Sequence, residues 1–179
     1  MDEGSLKFEY YEGANVPSYE VIENILESAE RDNVPFKSRK CVGGCYTESC
    51  SCFEQSLTNQ ADKGYTACRI IAISDNEAVG AIAYSKTKNM SEKKLGNIDF
   101  VYVKSDKREK GIGSLLMQHA IGDLKDYGAK GVSVVINDLG SAEHKEPNIP
   151  MRKLAKKFLK TDLPLEDKQK WKLRSAEII

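Results

Sequence analysis

The chain has 179 residues, of which 40% are hydrophobic and 30% charged, a balance typical of one folded domain with a buried core. Its 27 basic residues balance 27 acidic ones, which argues against non-specific nucleic-acid binding. No apolar stretch approaches the ~20 residues of a membrane span, and the acidic N-terminus lacks the apolar segment of a secretory signal, so we expect a cytoplasmic protein.

The charges are unevenly distributed along the chain. Residues 1–100 contain 16 acidic and 11 basic residues, a net charge of −5, and residues 101–179 contain 11 and 16, a net charge of +5. A basic C-terminal half suits an anionic cofactor, and an acidic N-terminal half favours a cationic substrate. Two ordinarily solvated surfaces would account for the same numbers.

The first predicted elements are a strand and a helix. Apolar and polar residues alternate over residues 5–12, which indicates a half-buried strand. Ser18 is a good N-cap, and the helical spacing of apolar residues behind it predicts a helix over 19–31. Residues 32–53 show no clear period and predict a long loop, and a weaker helix is expected over 53–61.

Four cysteines lie close together in that loop, at Cys41, Cys45, Cys50 and Cys52. In a cytoplasmic chain we expect thiols rather than disulfides. Four soft ligands are enough for a tetrahedral zinc ion, but the spacing is not a pair of clean Cys-x-x-Cys knuckles, so we predict no metal here. A zinc-dependent docking element for a protein partner remains an alternative.

Three strands are predicted next. Residues 69–74 and 78–85 form a hairpin around Asp75, and residues 97–103 form the third strand. Strict alternation on the third strand puts two sets of side chains on opposite faces. One face holds Asn97, Asp99, Val101 and Val103, and the other holds Ile98, Phe100 and Tyr102.

A glycine-containing turn follows this strand, and a helix is predicted over 114–127 with Gly128 as its stop. Glycines let a turn approach a ligand closely, and the first N–H groups of the helix then face that ligand. Arg108 and Lys110 add side-chain charge, so the sequence predicts an anion site. A buried strand over 131–136 and a helix over 151–160 follow, and the charged tail 161–179 has no predicted element.

Two common phosphate-binding motifs do not match this turn. A P-loop needs Gly-x-x-x-x-Gly-Lys-Ser/Thr, and a dinucleotide fold needs a third glycine where this chain has Leu116. The segment Arg108-Glu-Lys-Gly111-Ile-Gly113 instead resembles the Gln/Arg-x-x-Gly-x-Gly/Ala signature of the GCN5-related N-acetyltransferase (GNAT) superfamily. The resemblance is specific over about 97–137 and extends as an order of elements over about 5–160. It implies a single α/β domain, spanning 1–179, with a central mixed, twisted sheet flanked by helices.

The resemblance also implies acetyl-CoA as co-substrate and the residues that bind it. The backbone of Val101 and Val103 is expected to pair with the pantetheine arm, and the N–H of Val101 to stabilise the thioester oxyanion. Asn137 is expected at the pantetheine arm. The amides of the turn are expected to hold the pyrophosphate: Arg108, Glu109, Lys110, Gly111, Ile112, Gly113 and Ser114.

Asp99 is the candidate general base, because direct transfer requires a neutral amine and an ammonium has a pKa of ~10. Its position resembles that of a glutamate in spermidine/spermine acetyltransferases. A carboxylate satisfied by its neighbours is the alternative. Leu159 replaces the tyrosine with which the family often protonates the departing thiolate, so no general acid is predicted. His119 is expected on the surface, and no catalytic role is assigned to His144.

We therefore predict an acetyltransferase that moves the acetyl group to a primary amine by direct attack in a ternary complex. The expected partner is a small-molecule or lysine-type amine acceptor, rather than nucleic acid or a membrane, and a homodimer is one open assembly state. A catalytically weak or inactive CoA-binding regulatory module is the alternative.

Overall fold

The computed structural model describes residues 6–32, 65–88, 93–136, 139–140, 145–146, 149–159 and 171–176. In these ranges the chain forms one six-stranded sheet, one short hairpin and three α-helices. The strands of the sheet are β1 (Lys7–Glu12), β2 (Tyr65–Ser74), β3 (Glu77–Lys88), β4 (Lys94–Val103), β5 (Val132–Ile136) and β8 (Trp171–Ala176). The helices are α1 (Tyr19–Arg31), α2 (Ile112–Tyr127) and α3 (Ile149–Phe158), and the hairpin consists of β6 (Leu139–Gly140) and β7 (Lys145–Glu146).

The sheet is mixed, with the strand order β1-β2-β3-β4-β5-β8. Only the β4–β5 pair is parallel within it, and α2 provides the crossover between these two strands. The predicted α/β class with a mixed sheet is confirmed. The edge strand β8 comes from the charged tail, for which no element was predicted, and it pairs antiparallel with β5.

Two apolar clusters cover the two faces of the sheet. On one face α1 buries the predicted stripe of Ile22, Ile25, Leu26 and Ala29 against β2, β3 and β4. On the other face α2 buries its own predicted stripe together with residues of α3. The α2 stripe consists of Leu116, Met117, Ala120, Ile121 and Leu124, each at most 4% exposed. We call these the α1 face and the α2 face.

Local chemistry sets the ends of several elements. Asp75 and Asn76 both have positive φ, at 53° and 61°, which is the two-residue turn that matches the twist of a β-hairpin. Gly128 ends α2 with φ of 83°, and its N–H donates to the carbonyl of Lys125 at 2.8 Å. The predicted hairpin and the predicted helix stop are confirmed, although α2 begins at Ile112, two residues before its predicted start.

Candidate active site

The central feature is the separation of β4 from β5. The parallel ladder joins Gly96, Asn97 and Ile98 of β4 to β5, and its last pair is Ile98 with Val134. Beyond that pair β5 continues to Ile136 with β8 as its partner, while β4 continues to Val103 with β3 as its partner. In the part of the chain that the structure describes, one edge of β4 therefore has no neighbouring strand over residues 99–103. Val101 and Val103 lie in this stretch, where an extended ligand can pair with the strand.

A bulge in β4 lies where the two strands separate. The β3–β4 register passes from Ala83–Phe100 to Tyr84–Ile98, so Asp99 has no residue opposite it on β3. The extra residue reverses the alternation of side chains. Ile98 packs in the α2-face cluster with Val101 and Val103, whereas Phe100 and Tyr102 belong to the α1-face cluster.

The predicted division of β4 into two faces is therefore wrong. Asp99 does not share a face with Val101, because strict alternation does not continue through a bulge. It hydrogen-bonds Asn97 and is influenced by the charge of Arg69, which alternates with the α2-face residue Ile70 and so points to the α1 face. The Asp99 carboxyl is nevertheless next in the chain to the open edge of β4.

A short hydrogen-bonded series holds Asp99. The hydroxyl of Ser133 on β5 donates to Asn97 Oδ1 at 2.7 Å, and the Asn97 amide donates to Asp99 Oδ1. An ionised carboxylate can only accept, which fixes the orientation of the Asn97 amide. Arg69 is 1% exposed and donates to the carbonyl of Gly13.

The pKa of Asp99 is raised to about 7. The main cause is desolvation by the surrounding protein, which the Asn97 hydrogen bond and the Arg69 charge only partly oppose. The Asp99 side chain is nevertheless accessible to solvent. Such a carboxyl can exchange a proton near neutral pH.

The turn after β4 has the backbone geometry of an anion site. Glu109 and Gly111 both have positive φ, at 64° and 81°, and alternating conformations of this kind turn successive N–H groups towards one point. Gly111 is the N-cap of α2 and provides no side chain to cap it. The first helical hydrogen bond runs from Leu115 N–H to Gly111 O at 3.0 Å. The amides of residues 112–114 precede it, so they have no acceptor within the helix.

The Arg108 side chain lies elsewhere than we expected. Its Nε donates to the carbonyl of Val103 at 2.9 Å, and its Nη2 pairs with the carboxylate of Asp32, just after α1. Lys110 is exposed beside the turn. The candidate anion site thus consists of backbone amides, because the guanidinium is bonded to Val103 and Asp32.

A family model, the acetyltransferase (GNAT) family, matches residues 27–158. The chain belongs to the GNAT family. This confirms the predicted family and the predicted class of enzyme, an acyltransferase of the N-acetyltransferase type. No curated protein matches the sequence closely enough to indicate a relationship.

Solved structures share the GNAT fold at low sequence identity. A ribosomal-protein-alanine N-acetyltransferase from Brucella melitensis biovar Abortus 2308 is 16% identical, with a TM-score of 0.54 over 89% of this chain and 95% of the other. The PaiA N-acetyltransferase from Thermoplasma acidophilum, in complex with coenzyme A, is 16% identical, with a TM-score of 0.55 over 94% and 96%. An aminoglycoside acetyltransferase from an uncultured soil metagenomic sample, in complex with sisomicin, is 17% identical, with a TM-score of 0.52 over 92% and 91%.

Other candidate residues of this GNAT chain fall into two groups. Asn137, His144 and the four clustered cysteines lie outside the described residues, so their predictions stay predictions. His119 is half-buried, with its ring centre 4.4 Å from that of Phe8 and its Nδ1 hydrogen-bonded to the Tyr10 hydroxyl at 2.8 Å. Leu159 is fully buried in the α2-face cluster, so the position of the family's tyrosine is part of the core. None of the described helices is both long and apolar enough to span a membrane.

Three residues of the site were not found from the sequence. Arg69 begins an apolar run and was assigned to the end of a strand, yet β2 starts four residues earlier and buries it. Ser133 was taken only as part of a buried strand. Asp32 was assigned to the loop after the first helix. The position of Arg69 beside an apolar strand could have indicated a buried charge in the site. No comparable signal exists for Ser133 and Asp32, because only tertiary contacts bring them to the site.

Proposed function

We propose that this chain is an acetyl-CoA-dependent N-acetyltransferase that acetylates a primary amine by direct attack in a ternary complex. The observation that supports the proposal is that three suitable features follow one another along a single strand. Beyond Ile98, β4 has an open edge, a carboxyl with a pKa near neutrality, and a backbone anion site at its end. Bound acetyl-CoA supplies the acetyl group as an activated thioester.

Each part of the site is assigned one task. Backbone groups of Val101 and Val103 would hold the pantetheine arm along the open edge, with the N–H of Val101 at the thioester carbonyl. The amides of the turn, from Glu109 to Ser114, would hold the pyrophosphate. The amide of Arg108, which was predicted to take part, donates instead to the carbonyl of Ser105 at 3.4 Å. A contact of Asn137 with the pantetheine arm also stays a proposal.

Asp99 is assigned the role of general base, which accepts a proton from the incoming ammonium. An ordinary aspartate has a pKa of ~4, some six units below an ammonium at ~10, so it accepts the proton poorly. The raised pKa of about 7 closes about half of that gap. Arg69 does not exchange protons, because a guanidinium stays protonated in proteins. It serves as a fixed positive charge that lowers the pKa of Asp99 and so opposes the effect of desolvation.

The acceptor is proposed only as a class. The fold relatives include one named for alanine of ribosomal proteins and one solved with an aminoglycoside, so the fold does not choose between peptide and small-molecule amines. The acidic N-terminal half favours a cationic acceptor. A screen of thiol release from acetyl-CoA against polyamines, aminoglycosides, amino acids and lysine peptides identifies the acceptor class. A cytoplasmic location and a homodimer likewise remain predictions.

Cofactor binding is tested with two substitutions at Gly111. Aspartate and asparagine have the same size and both tolerate positive φ, and a Cβ at Gly111 meets no atom within 4 Å. Both variants therefore carry the same backbone cost, and only Gly111→Asp adds negative charge to the anion site. We expect Gly111→Asp to bind acetyl-CoA at least about tenfold more weakly than Gly111→Asn in titration calorimetry. Equal affinities, or a wild-type protein that does not bind acetyl-CoA, would contradict the proposal.

A CoA-binding regulatory module is the second candidate, and the buried Leu159 is the observation that favours it. With an apolar residue in place of the family's tyrosine, the described site contains no assigned donor for the departing thiolate. Slow thiol release from acetyl-CoA that Asp99→Asn abolishes would exclude this candidate. Binding of acetyl-CoA with no release against any amine class would establish it.

A further inference from the structure

The side chain of Arg108 is attached to two other elements of the fold. Its Nε donates to the carbonyl of Val103, the last residue of β4, and its Nη2 pairs with Asp32. The guanidinium carbon also lies 5.6 Å from the centre of the Tyr102 ring. Arg108 therefore reaches back across the turn, closing the loop that runs from the strand end to the start of the anion site.

Asp32 is itself held by buried neighbours. Its backbone N–H donates to the carbonyl of Ser28 at 3.0 Å, and its Oδ2 accepts from the Tyr102 hydroxyl at 2.9 Å. The same hydroxyl lies 2.9 Å from Ser28 Oγ. Tyr102 and Ser28 are 5% and 4% exposed, so this end of the contact is rigid. The pKa of Tyr102 is raised to about 12, mainly by burial, which keeps the phenol protonated and able to donate.

The turn that follows needs such support. Glu109 adopts a positive φ of 64°, which is unfavourable for a residue other than glycine and persists only where the surroundings hold it. The two arginine contacts fix the residue directly before it.

We propose that Asp32 is a positioning residue for the anion-binding turn, acting through Arg108. The carboxylate holds the guanidinium on the Val103 carbonyl. This Asp32–Arg108–Val103 contact, which we call the brace, sets the path of residues 104–111 and so places the amides that begin α2, those of residues 112–114, at the anion site. The proposal rests on the proposed function, because it assigns the pyrophosphate of CoA to those amides. According to this proposal, the main role of Arg108 is to hold the turn in position, and not to neutralise the charge of the phosphates.

The proposal and its rival predict opposite effects of removing Asp32. If Arg108 were a direct phosphate ligand restrained by Asp32, then Asp32→Ala would release its positive charge and remove a nearby negative one, so CoA would bind more tightly. If Asp32 positions the turn, Asp32→Ala loosens the amides and CoA binds more weakly. Because the pair is partly exposed, with Arg108 47% and Asp32 18% accessible, we expect a loss of about three- to tenfold.

The affinities for CoA and for pantetheine together show whether a substitution disturbs only the turn or the whole binding site. Asp32→Ala is expected to weaken CoA but not pantetheine, which lacks the pyrophosphate, since the open edge of β4 is unchanged. Asp106→Ala is the matched control, because Asp106 is an exposed carboxylate in the same turn, in the 3-10 segment Ser105–Lys107. It removes the same charge without touching the brace and is expected to leave CoA affinity unchanged or slightly higher.

Amide hydrogen exchange of the ligand-free protein provides the test that needs no cofactor. Exchange over residues 104–111 is expected to be faster in Asp32→Ala than in wild type, and unchanged in Asp106→Ala. A wild-type protein that fails to bind CoA would contradict the proposed function, while unchanged exchange in Asp32→Ala would contradict the brace. Tighter CoA binding, or equal losses for CoA and pantetheine, would also overturn it. If Asp32→Ala does not fold, Tyr102→Phe and Asp32→Asn weaken the same contact and are scored by the same criteria.

Discussion

The two halves of β4 differ in what surrounds them. Residues 96–98 are paired with β3 on one side and β5 on the other, whereas residues 100–103 are paired with β3 but not with β5, and Asp99 between them is bulged. The first half is also packed tightly, because a Cβ on Gly96 would lie 2.6 Å from Leu124 Cδ1. One half of the strand thus anchors the sheet, and the other keeps its backbone groups available to a ligand.

The junction between the halves contains the chemistry. Asp99 is the bulged residue, and Asn97 links it to Ser133, which is opposite Asn97 in the β4–β5 ladder. A carboxyl placed here is held by Asn97 of the closed half and is adjacent in the chain to the open half. Substitutions in the open half should therefore change activity, those in the closed half should change stability, and those at the junction should change pH dependence.

The largest effect is expected for Asp99→Asn, which removes the bulged carboxyl where the open half begins. Removing the general base should lower kcat by about 10²- to 10⁴-fold and abolish the fall in rate below the wild-type pKa of about 7. That fall occurs because protonated Asp99 cannot accept a proton from the amine. The measurement is the pH–rate profile of thiol release with the identified amine.

Two controls distinguish the loss of the base from an effect on folding and from the loss of a negative charge. A carboxyl whose pKa is raised on folding binds more protons in the folded state, so wild-type stability falls as pH rises from about 4 to about 7. Asp99→Asn removes this penalty and should melt at the same or a higher temperature at pH 8. Asp126→Asn makes the same change at an exposed position on α2 and should leave the profile unaltered. A wild-type pH limb near 7 in the Asp99 variant would exclude Asp99 as the base.

The next largest effect is expected in the closed half, for Gly96→Ala. The added methyl meets the fully buried Leu124 at 2.6 Å, and overpacking of this kind costs about 1–3 kcal/mol. Gly113→Ala adds the same atom to the first turn of α2, where its nearest neighbours are 3.7 and 3.8 Å away. Replacing a helical glycine with alanine should stabilise the fold there by about 0.5–1 kcal/mol. Urea unfolding measures the stability of both variants. A change of the same sign in the two variants would contradict the difference in packing.

Much of the scaffold could be predicted from local pattern. The stripe on α2 and its stop at Gly128 depend on spacing within one helix and on the conformational freedom of one glycine, both of which the sequence shows directly. The signature from Arg108 to Gly113 likewise identifies the turn and, through it, the family.

The arrangement of the site depends on relations between distant segments. The bulge at Asp99 follows from the pairing of β4 with β3, so alternation along β4 alone predicted the wrong face. Arg108 looked like an anion ligand because its partner, Asp32, is 76 positions away in the chain. Strand β8 has a charged sequence typical of a tail and becomes a strand by pairing with the edge of β5.

The smallest effect is expected at the junction, for Asn97→Ala and Ser133→Ala. The Asn97 amide donates to Asp99 and lowers the pKa of its carboxyl, acting against desolvation. Without that hydrogen bond the pKa of Asp99 rises further, so a larger fraction is protonated at acidic pH. We expect the rate of Asn97→Ala at pH 6, relative to its own plateau at high pH, to be about threefold lower than in wild type.

Ser133→Ala should act in the same direction and more weakly, because it leaves the Asn97 donor in place and removes only the hydroxyl that orients it. Ser74→Ala is the matched control, since that hydroxyl donates to Asp75 at the β2–β3 hairpin, away from the junction. Full pH–rate profiles of all three variants make the comparison. A general loss of rate without a shift of the acidic limb would show that Asn97 only supports the strand, and a shift towards lower pH would contradict the assigned hydrogen bond. A limb that moves with Asn97 and Ser133 but not with Ser74 would place the proton transfer at the point where β4 leaves β5.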